Sequence, residues 1–337
     1  MKKVLVVTTI NGRDHEGISR LIEDSNTQDF ELVLIGDKKT STNLSAVNES
    51  RVHFYNLESQ LSSKFLSGQT LPLNHYARKN FGYLVAAEMG CEWISETDDD
   101  NRLFVEFWDN QIPNKLIKNL GPSQWVNIYS AFGFGEYWHR GIPINDVLGA
   151  NAITTDDIDS SSKVACVQGL ADGDPDIDAI CRMLYRPVTK FPRTDSFIVE
   201  PGFYSPTNSQ LTRWRTELTL PLLYLPSTVP WRVSDIWRGL IAQRHFEISD
   251  LRTQFRGGLG FQDRNEHDLL KDFADELEVH MSTRILLEIL ERIDILDQSN
   301  FMLTVYSSLM ARGLVSQEEI VRLENWLTDT SFILNKG

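Results

Sequence analysis

The sequence predicts an α/β protein with a mostly parallel, Rossmann-like sheet flanked by helices, followed by a helical C-terminal appendage. Three observations predict it. Short apolar runs alternate with helical stretches over residues 1–100. An acidic triplet, Asp98, Asp99 and Asp100, ends the fourth of those runs. After residue 268, apolar residues recur every four positions. The expected boundary separates a domain of residues 1–267 from an appendage of residues 268–337.

Val4–Thr8 reads as a first buried strand, residues 32–35 (LVLI) as a second and Val52–Tyr55 as a third. Residues 15–24 and 75–89 carry helical patterns, and Trp93–Thr97 is a fourth strand that runs into the triplet. Strands alternating with helices imply right-handed crossovers, and ligands of such sheets sit at the carboxyl ends of the strands. The middle, about 101–265, is richer in Pro, Gly and aromatic residues. It predicts irregular structure with short strands near 125–129 and 197–200, and a helix from about Asp235 toward Phe246. In the tail, Leu269, Phe273, Leu277, Met281, Ile285, Ile289 and Ile293, with Leu286 and Leu290 beside them, predict one long amphipathic helix. Helices over about 300–312 and 316–328 follow, with Ser316 and Glu319 spaced as a capping box. Core packing or homo-oligomerisation is the expected use of these helices.

The 337 residues, 41% of them hydrophobic, are enough for one large domain with an appendage. A net charge of -14 argues against a protein that coats nucleic acid or anionic membrane. Cys91, Cys166 and Cys181 are odd in number and form no CxxC pair, which points away from a disulfide framework and toward a reducing compartment. The four apolar residues 4–7 are too few for a signal peptide, and no apolar run approaches the ~20 residues of a membrane span. A cytoplasmic protein without an integral membrane segment is expected.

Three adjacent carboxylates repel one another. A solvated turn tolerates that; the end of a buried strand does so when a cation is shared. Hard oxygen ligands suit Mn2+ or Mg2+, which bridge diphosphate oxygens. Arg13 follows the first strand, Lys38 and Lys39 the second, and Arg78 and Lys79 start the helix before the fourth. Each alone reads equally as a surface charge. Together at the carboxyl edge they can hold a diphosphate, with Asp37 accepting hydrogen bonds from a ribose or base.

The run YARKNFGY at residues 76–83, followed by ETDDDN at 96–101, resembles the catalytic-type domain of the plant STELLO proteins. It more distantly resembles the reversibly glycosylated polypeptides, which include UDP-arabinopyranose mutases. The segments GDKKT (36–40), RGIP (140–143), DGDPDIDA (172–179), YSPTNSQ (204–210), RVSDIWRG (232–239) and NEHD (265–268) continue the likeness in order. The resemblance implies a GT-A-type fold whose Asp-rich motif binds a metal and a UDP-sugar. Asp98 would then reach the nucleoside and Asp100 the metal, with Asp99 between them and His267 as a further metal ligand. The alternative for His267 is a surface or helix N-terminal histidine. Arg140 occupies the position of the reversibly glycosylated arginine, although Ile142 stands where the mutase motif has Tyr.

Asp235, at a predicted helix start, is the candidate general base; a plain helix cap is the alternative. Asp174, Asp176 and Asp178 can bind acceptor hydroxyls, donor sugar hydroxyls or the metal, or form a solvated loop. Trp231 and Trp237 can stack on a sugar or pack in the core. The expected function is transfer of a sugar from a nucleotide-sugar donor to a saccharide or glycan acceptor. A nucleotide-sugar mutase and a non-catalytic nucleotide-sugar- or glycan-binding scaffold are the alternatives.

Overall fold

The computed structural model describes residues 2–46, 49–158, 163–186, 189–262, 268–293 and 300–336. Among them eleven strands form one sheet. They are β1 Val4–Thr8, β2 Glu31–Ile35, β3 Val52–Tyr55, β4 Trp93–Thr97, β5 Asn101–Leu103, β6 Lys115–Asn119, β7 Ile153–Asp157, β8 Lys163–Gly173, β9 Ser196–Val199, β10 Leu211–Arg215 and β11 Leu251–Gln262. The spatial order is β3-β2-β1-β4-β10-β8-β11-β9-β6-β7, with β5 on β11. The main helices are α1 Glu16–Thr27, α2 Lys79–Glu88, α3 Ala179–Leu184, α4 Trp231–Ile248, α5 Leu269–Arg292, α6 Phe301–Ala311 and α7 Gln317–Leu334. Short helical turns, such as Leu66–Thr70 and Ile128–Ala131, join them.

Alternation along β1 and β2 explains the layering. Val4, Val6, Val33 and Ile35 face α2, where Phe81 and Leu84 meet them. Leu5, Val7, Leu32 and Leu34 face α1 with Ile18 and Leu21. Each such side chain, fully buried, contributes about 1.5–3 kcal/mol. The first four strands in space are parallel, as the sequence predicts. Beyond β4 the sheet is mixed: β10 runs antiparallel to both β4 and β8, and β11 parallel to β8 but antiparallel to β9. The parallel pattern holds where helical crossovers return the chain. β10 reaches the sheet through irregular chain, which leaves its direction free. The strand expected near 125–129 is instead a single bridge at Trp125 followed by the helical turn Ile128–Ala131.

The expected apolar stripe of the tail is rotated in the structure. A four-residue repeat drifts about 40° per step around an α-helix. Met281 at 70% and Leu277 at 43% are therefore exposed while Asp272, Glu276, Val279 and Thr283 lie buried; the expected Leu286, Ile289, Leu290 and Ile293 are buried as well. Nor do these helices stand apart as an appendage. Leu286, Leu309, Leu323 and Trp326 belong to the same apolar cluster as Val4 and Val6. The capping box at Ser316 does not form, because the Glu319 side chain turns inward. It accepts hydrogen bonds from the Ser227 amide at 2.9 Å, the Thr228 amide at 2.6 Å and the Tyr224 hydroxyl at 2.5 Å. Asp329 of α7 accepts from the Leu66 and Ser67 amides at 3.0 and 2.8 Å, and so caps a helical turn near the N-terminus.

These contacts set the stability expected of the tail. Asp329→Ala removes a cap and is expected to cost about 1–2 kcal/mol. Glu319→Ala strands several buried donors and is expected to cost about 3 kcal/mol or more. Urea unfolding should show lower midpoints for both with unchanged m. Equal midpoints for wild type and Glu319→Ala would contradict the docking described.

Candidate active site

In the order β3-β2-β1-β4 the chain leaves β1 toward one side and returns to its other side as β4. The carboxyl ends of β1 and β4 therefore flank the switch point of the sheet. A cavity of about 180 Å³ opens beside it. One wall carries Tyr76, Asp98, Asp99 and Asp100; another carries Asn208, Ser209 and Gln210, just before β10. Trp231, Arg232 and Asp235 of α4, with Arg140, Asp176 and Gln262, complete it.

The acidic turn is held from several sides. Asp99 accepts hydrogen bonds from Thr9 Oγ1 at 2.5 Å and Asn11 Nδ2 at 2.9 Å, tying the β1 loop to the β4 loop. Gly17 lets α1 press on this turn, since a Cβ there would lie 1.7 Å from the Asp99 carbonyl oxygen. Asp98 Oδ1 accepts from the Tyr76 hydroxyl and Lys79 Nζ, each at 3.2 Å. Its side chain is 38% exposed toward the cavity. Burial of the carboxyl, with Asp100 and Asp99 beside it, outweighs the Lys79 ammonium and pushes its pKa up to about 6. Asp100 accepts from Asn101 at 3.1 Å and Gln262 at 3.2 Å.

These residues fit a divalent cation. No group of three or more His, Cys, Asp or Glu side chains gathers for a metal among the described residues. Asp98 and Asp100 nevertheless offer two hard carboxylate donors on one cavity wall. One or two carboxylates completed by phosphate oxygens and water is the set that Mg2+ takes, and Mn2+ accepts the same donors. A cation there would relieve the repulsion among the adjacent carboxylates. His267 lies outside the described residues.

Facing this turn is a clamp that brings together three residues far apart in sequence. Arg140 donates through Nε and Nη2 to Asp176 at 3.1 and 2.8 Å, and through Nη1 and Nη2 to Asp235 at 3.0 Å each. Nη1 also donates to the Arg232 carbonyl. All five guanidinium N–H groups are thereby used. Burial opposes the Arg140 charge, but Asp176 and Asp235 hold its pKa well above the usual value. Burial likewise opposes ionisation of Asp176, and Arg140 more than reverses that, so Asp176 stays well below the usual carboxylate range.

The remaining capacity of the two carboxylates differs. Asp235 also accepts from the Ile236 amide at 3.0 Å and from Ser209 N and Oγ at 3.3 Å, which takes every lone-pair position. It is also not at a helix start: α4 begins at Trp231, a full turn earlier. The expectation of a general base at Asp235 gives way to a saturated anchor. Asp176 accepts from Arg140 twice and from Asn208 Nδ2 at 3.0 Å, leaving one position open toward the cavity.

Other expected residues sit elsewhere. Lys79 is fully buried, donating to Tyr76, the Thr97 and Ser209 carbonyls and Asp98, so it supports the wall from behind. Arg78 is enclosed too, bonded to Gln60 at 2.8 Å and the Leu71 carbonyl at 3.1 Å. The expectation that these two cations grip a diphosphate is corrected by their burial. Arg13 is half exposed and lies 3.6 Å from Glu49; Lys38 is exposed. Asp37 accepts from the Lys38 and His75 amides at 2.6 and 3.0 Å. Asp174 pairs with Arg182, and Asp178 caps α3 and lies 3.2 Å from His280; neither lines the cavity. Trp237 is core, whereas Trp231 is 48% exposed at the cavity rim. Sequence reasoning passed over Arg232, Asn208, Ser209, Gln210 and Gln262. All but Gln262 lie in segments that stood out by likeness, but their spacing gave no signal of a role.

Residues 232–334 match the family model described as STELLO glycosyltransferases. The chain is 25% identical over 265 residues to "Probable glycosyltransferase STELLO2" of Arabidopsis thaliana, covering 70% of this chain and 33% of that protein. It is 26% identical over 210 residues to "Probable glycosyltransferase STELLO1" of the same plant, covering 57% and 27%. The chain thus spans about a third or less of the length of these curated relatives. Among solved structures, glucosyl-3-phosphoglycerate synthase from Mycobacterium tuberculosis with Mn2+, UDP and phosphoglyceric acid overlaps at a TM-score of 0.47 and 15% identity. That overlap covers 87% of this chain and 80% of that one. Its complex with Mn2+, UDP-glucose and phosphoglyceric acid gives 0.46 and 14%, covering 87% and 81%. The residues matched by the family model include the cavity residues Arg232, Asp235 and Gln262, and the acidic triplet precedes them.

His139, next to Arg140, stacks on Tyr129 at 4.5 Å, and neither ring nitrogen has a partner. Burial is the main cause that holds its pKa down to about 4. A histidine depressed on folding contributes stability above its unfolded value near 6.5, and that stability is lost as pH falls toward 4. Wild type should therefore lose up to about 3 kcal/mol from this group between pH 6.5 and 4. His139→Phe should flatten that part of the stability profile measured by denaturant unfolding; identical pH slopes would contradict a neutral, buried ring.

Proposed function

We propose that this chain is a metal-dependent glycosyltransferase of GT-A type that moves a sugar from a nucleoside diphosphate, UDP by resemblance, to a saccharide or glycan acceptor. One observation carries the reading. The cavity at the switch point sets an acidic turn, Asp98 to Asp100, opposite the Arg140–Asp176–Asp235 clamp. The likeness to the STELLO proteins supports the same reading.

In this reading Asp98 and Asp100 hold Mn2+ or Mg2+. The cation, when bound, supplies charge neutralisation for the departing diphosphate. Asp99 locks the two loops, and Asp37, with Arg13 and Lys38, lies toward the nucleoside end on the carboxyl edge of β1 and β2. Asp176, held ionised, has one lone-pair position for a sugar hydroxyl, and Asn208, donating to the same carboxylate, fixes its orientation. Trp231 at the rim gives an apolar face for a saccharide ring. A mutase that glycosylates its own Arg140 is disfavoured, because that guanidinium is buried with every N–H occupied.

Incubation with Mn2+, a panel of nucleotide-sugars and saccharide acceptors tests the reading by product analysis. Free UDP with an elongated acceptor is expected. A ring isomer of the donor would indicate a mutase, and binding without turnover a scaffold. Asp100→Ala should weaken Mn2+-dependent donor binding at least about tenfold, the loss of one charge-assisted ligand contact. Unchanged metal-dependent binding in that variant would overturn the assignment of the acidic turn.

A further inference from the structure

A diphosphate or acidic sugar needs a cation on the cavity wall, and the expected cations are not there. Arg78 and Lys79 are buried and do not line the cavity, and Arg140 has no N–H left. Among the described residues lining the cavity, that leaves Arg232. Its residue is 4% exposed, and its Nε is buried without a partner. Nη1 donates to Glu276 at 2.8 Å, and Nη2 lies 2.7 Å from Asp272. Two of five N–H groups are thus used, and the side chain is held from behind by two carboxylates of α5. Trp231 packs its ring 4.9 Å from the guanidinium.

A guanidinium fixed in this way is preorganised: its rotamer is set before a ligand arrives, so little side-chain entropy is lost on binding. The five aspartates lining the cavity would repel an anion, so an anionic ligand needs both the cation at the acidic turn and a cation elsewhere on the wall.

We propose that Arg232 binds an anionic oxygen group of the nucleotide-sugar donor, a phosphate or a sugar carboxylate, with Asp272 and Glu276 holding the guanidinium toward the cavity. This rests on the nucleotide-sugar reading above. Isothermal titration calorimetry in Mn2+ buffer with UDP, UDP-glucose and UDP-glucuronic acid tests it and separates the two sources. If the group is phosphate, Arg232→Gln weakens all three ligands about 10- to 100-fold, as expected for a charge-assisted hydrogen bond. If it is a sugar carboxylate, UDP and UDP-glucose are unaffected, and wild type's preference for UDP-glucuronic acid over UDP-glucose disappears. All three affinities within about twofold of wild type, while Asp100→Ala still weakens binding at least about tenfold, would overturn the role of Arg232 and leave the donor site standing. Failure of wild type to bind any of the three would overturn both. Thermal unfolding checks each variant. Should Arg232→Gln alone unfold because Glu276 loses its partner, the double variant Arg232→Gln with Glu276→Gln gives the same comparison.

Discussion

Glu96 lies in the middle of the sheet with no exposed side-chain surface, and the elements that build the cavity are tied to it. Arg238 of α4 donates to it at 2.7 and 3.2 Å, and the Trp214 indole of β10 at 2.7 Å. The Tyr83 hydroxyl of α2 donates to the same carboxylate, and Lys79 of α2 stands 3.8 Å away. A carboxylate and a guanidinium removed from water carry a large desolvation cost, offset only if hydrogen bonds satisfy both. Here the bonds come from three elements at once and leave the Arg238 Nε without a partner among the described residues. Burial opposes the Arg238 charge, yet Glu96 and Tyr83 hold its pKa above the usual value. Breaking such a pair from one side leaves an uncompensated charge and costs about 3–5 kcal/mol. The pair is therefore a constraint on geometry more than a source of stability. With β4 pinned at Glu96, the next residues can only leave the sheet as the turn that carries Asp98, Asp99 and Asp100.

The same logic governs the opposite wall. Arg140 holds Asp176 and Asp235 together by using every donor it has, so neither carboxylate can move without stranding a buried charge. The result is a cavity whose walls are rigid and whose net charge is negative. Rigid carboxylates in a small cavity favour a ligand that brings or shares a cation, because a neutral ligand would leave their repulsion unrelieved. At Asp98, burial first and the neighbouring Asp100 and Asp99 second push the carboxyl pKa up to about 6, against the Lys79 ammonium in contact with it.

How much of this was legible in the sequence depends on the range of each interaction. β1 to β4 and their helices were readable, because alternation and helical spacing are local and each run packs on its neighbour. The acidic triplet was readable for the same reason: its strand and its charge are contiguous. The clamp was not, since Arg140, Asp176 and Asp235 meet only through the tertiary fold, and each reads alone as an ordinary charge. The tail shows a subtler failure. Its four-residue repeat is real, but the repeat is not the helical period, so the stripe lies off the core at Leu277 and Met281 and reaches it at Ile289 and Ile293. What faces inward instead are Asp272 and Glu276, which no apolar pattern would select. Lys79 and Arg78 failed in the opposite sense. Charge at the carboxyl edge was read as ligand-facing, yet a lysine with enough carbonyl and hydroxyl partners can be wholly interior.

That inward acidic face changes what the C-terminal helices are for. A helical appendage that merely packed on a finished domain would bury apolar residues against it. α5 instead sends two carboxylates to Arg232, a residue of the cavity wall, and Glu276 also accepts from the Ala179 amide at the start of α3, 2.8 Å away. α3 follows directly on the loop that carries Asp176. One glutamate of the tail thus touches both the α4 and the Asp176 sides of the clamp. α7 closes the circuit by capping Leu66 and Ser67, near the Gln60 and Leu71 positions that hold Arg78. The site and the tail are consequently one body. A change in how the tail packs reaches the cavity through charged contacts of 2.7–2.8 Å, with no lid or hinge needed to carry it.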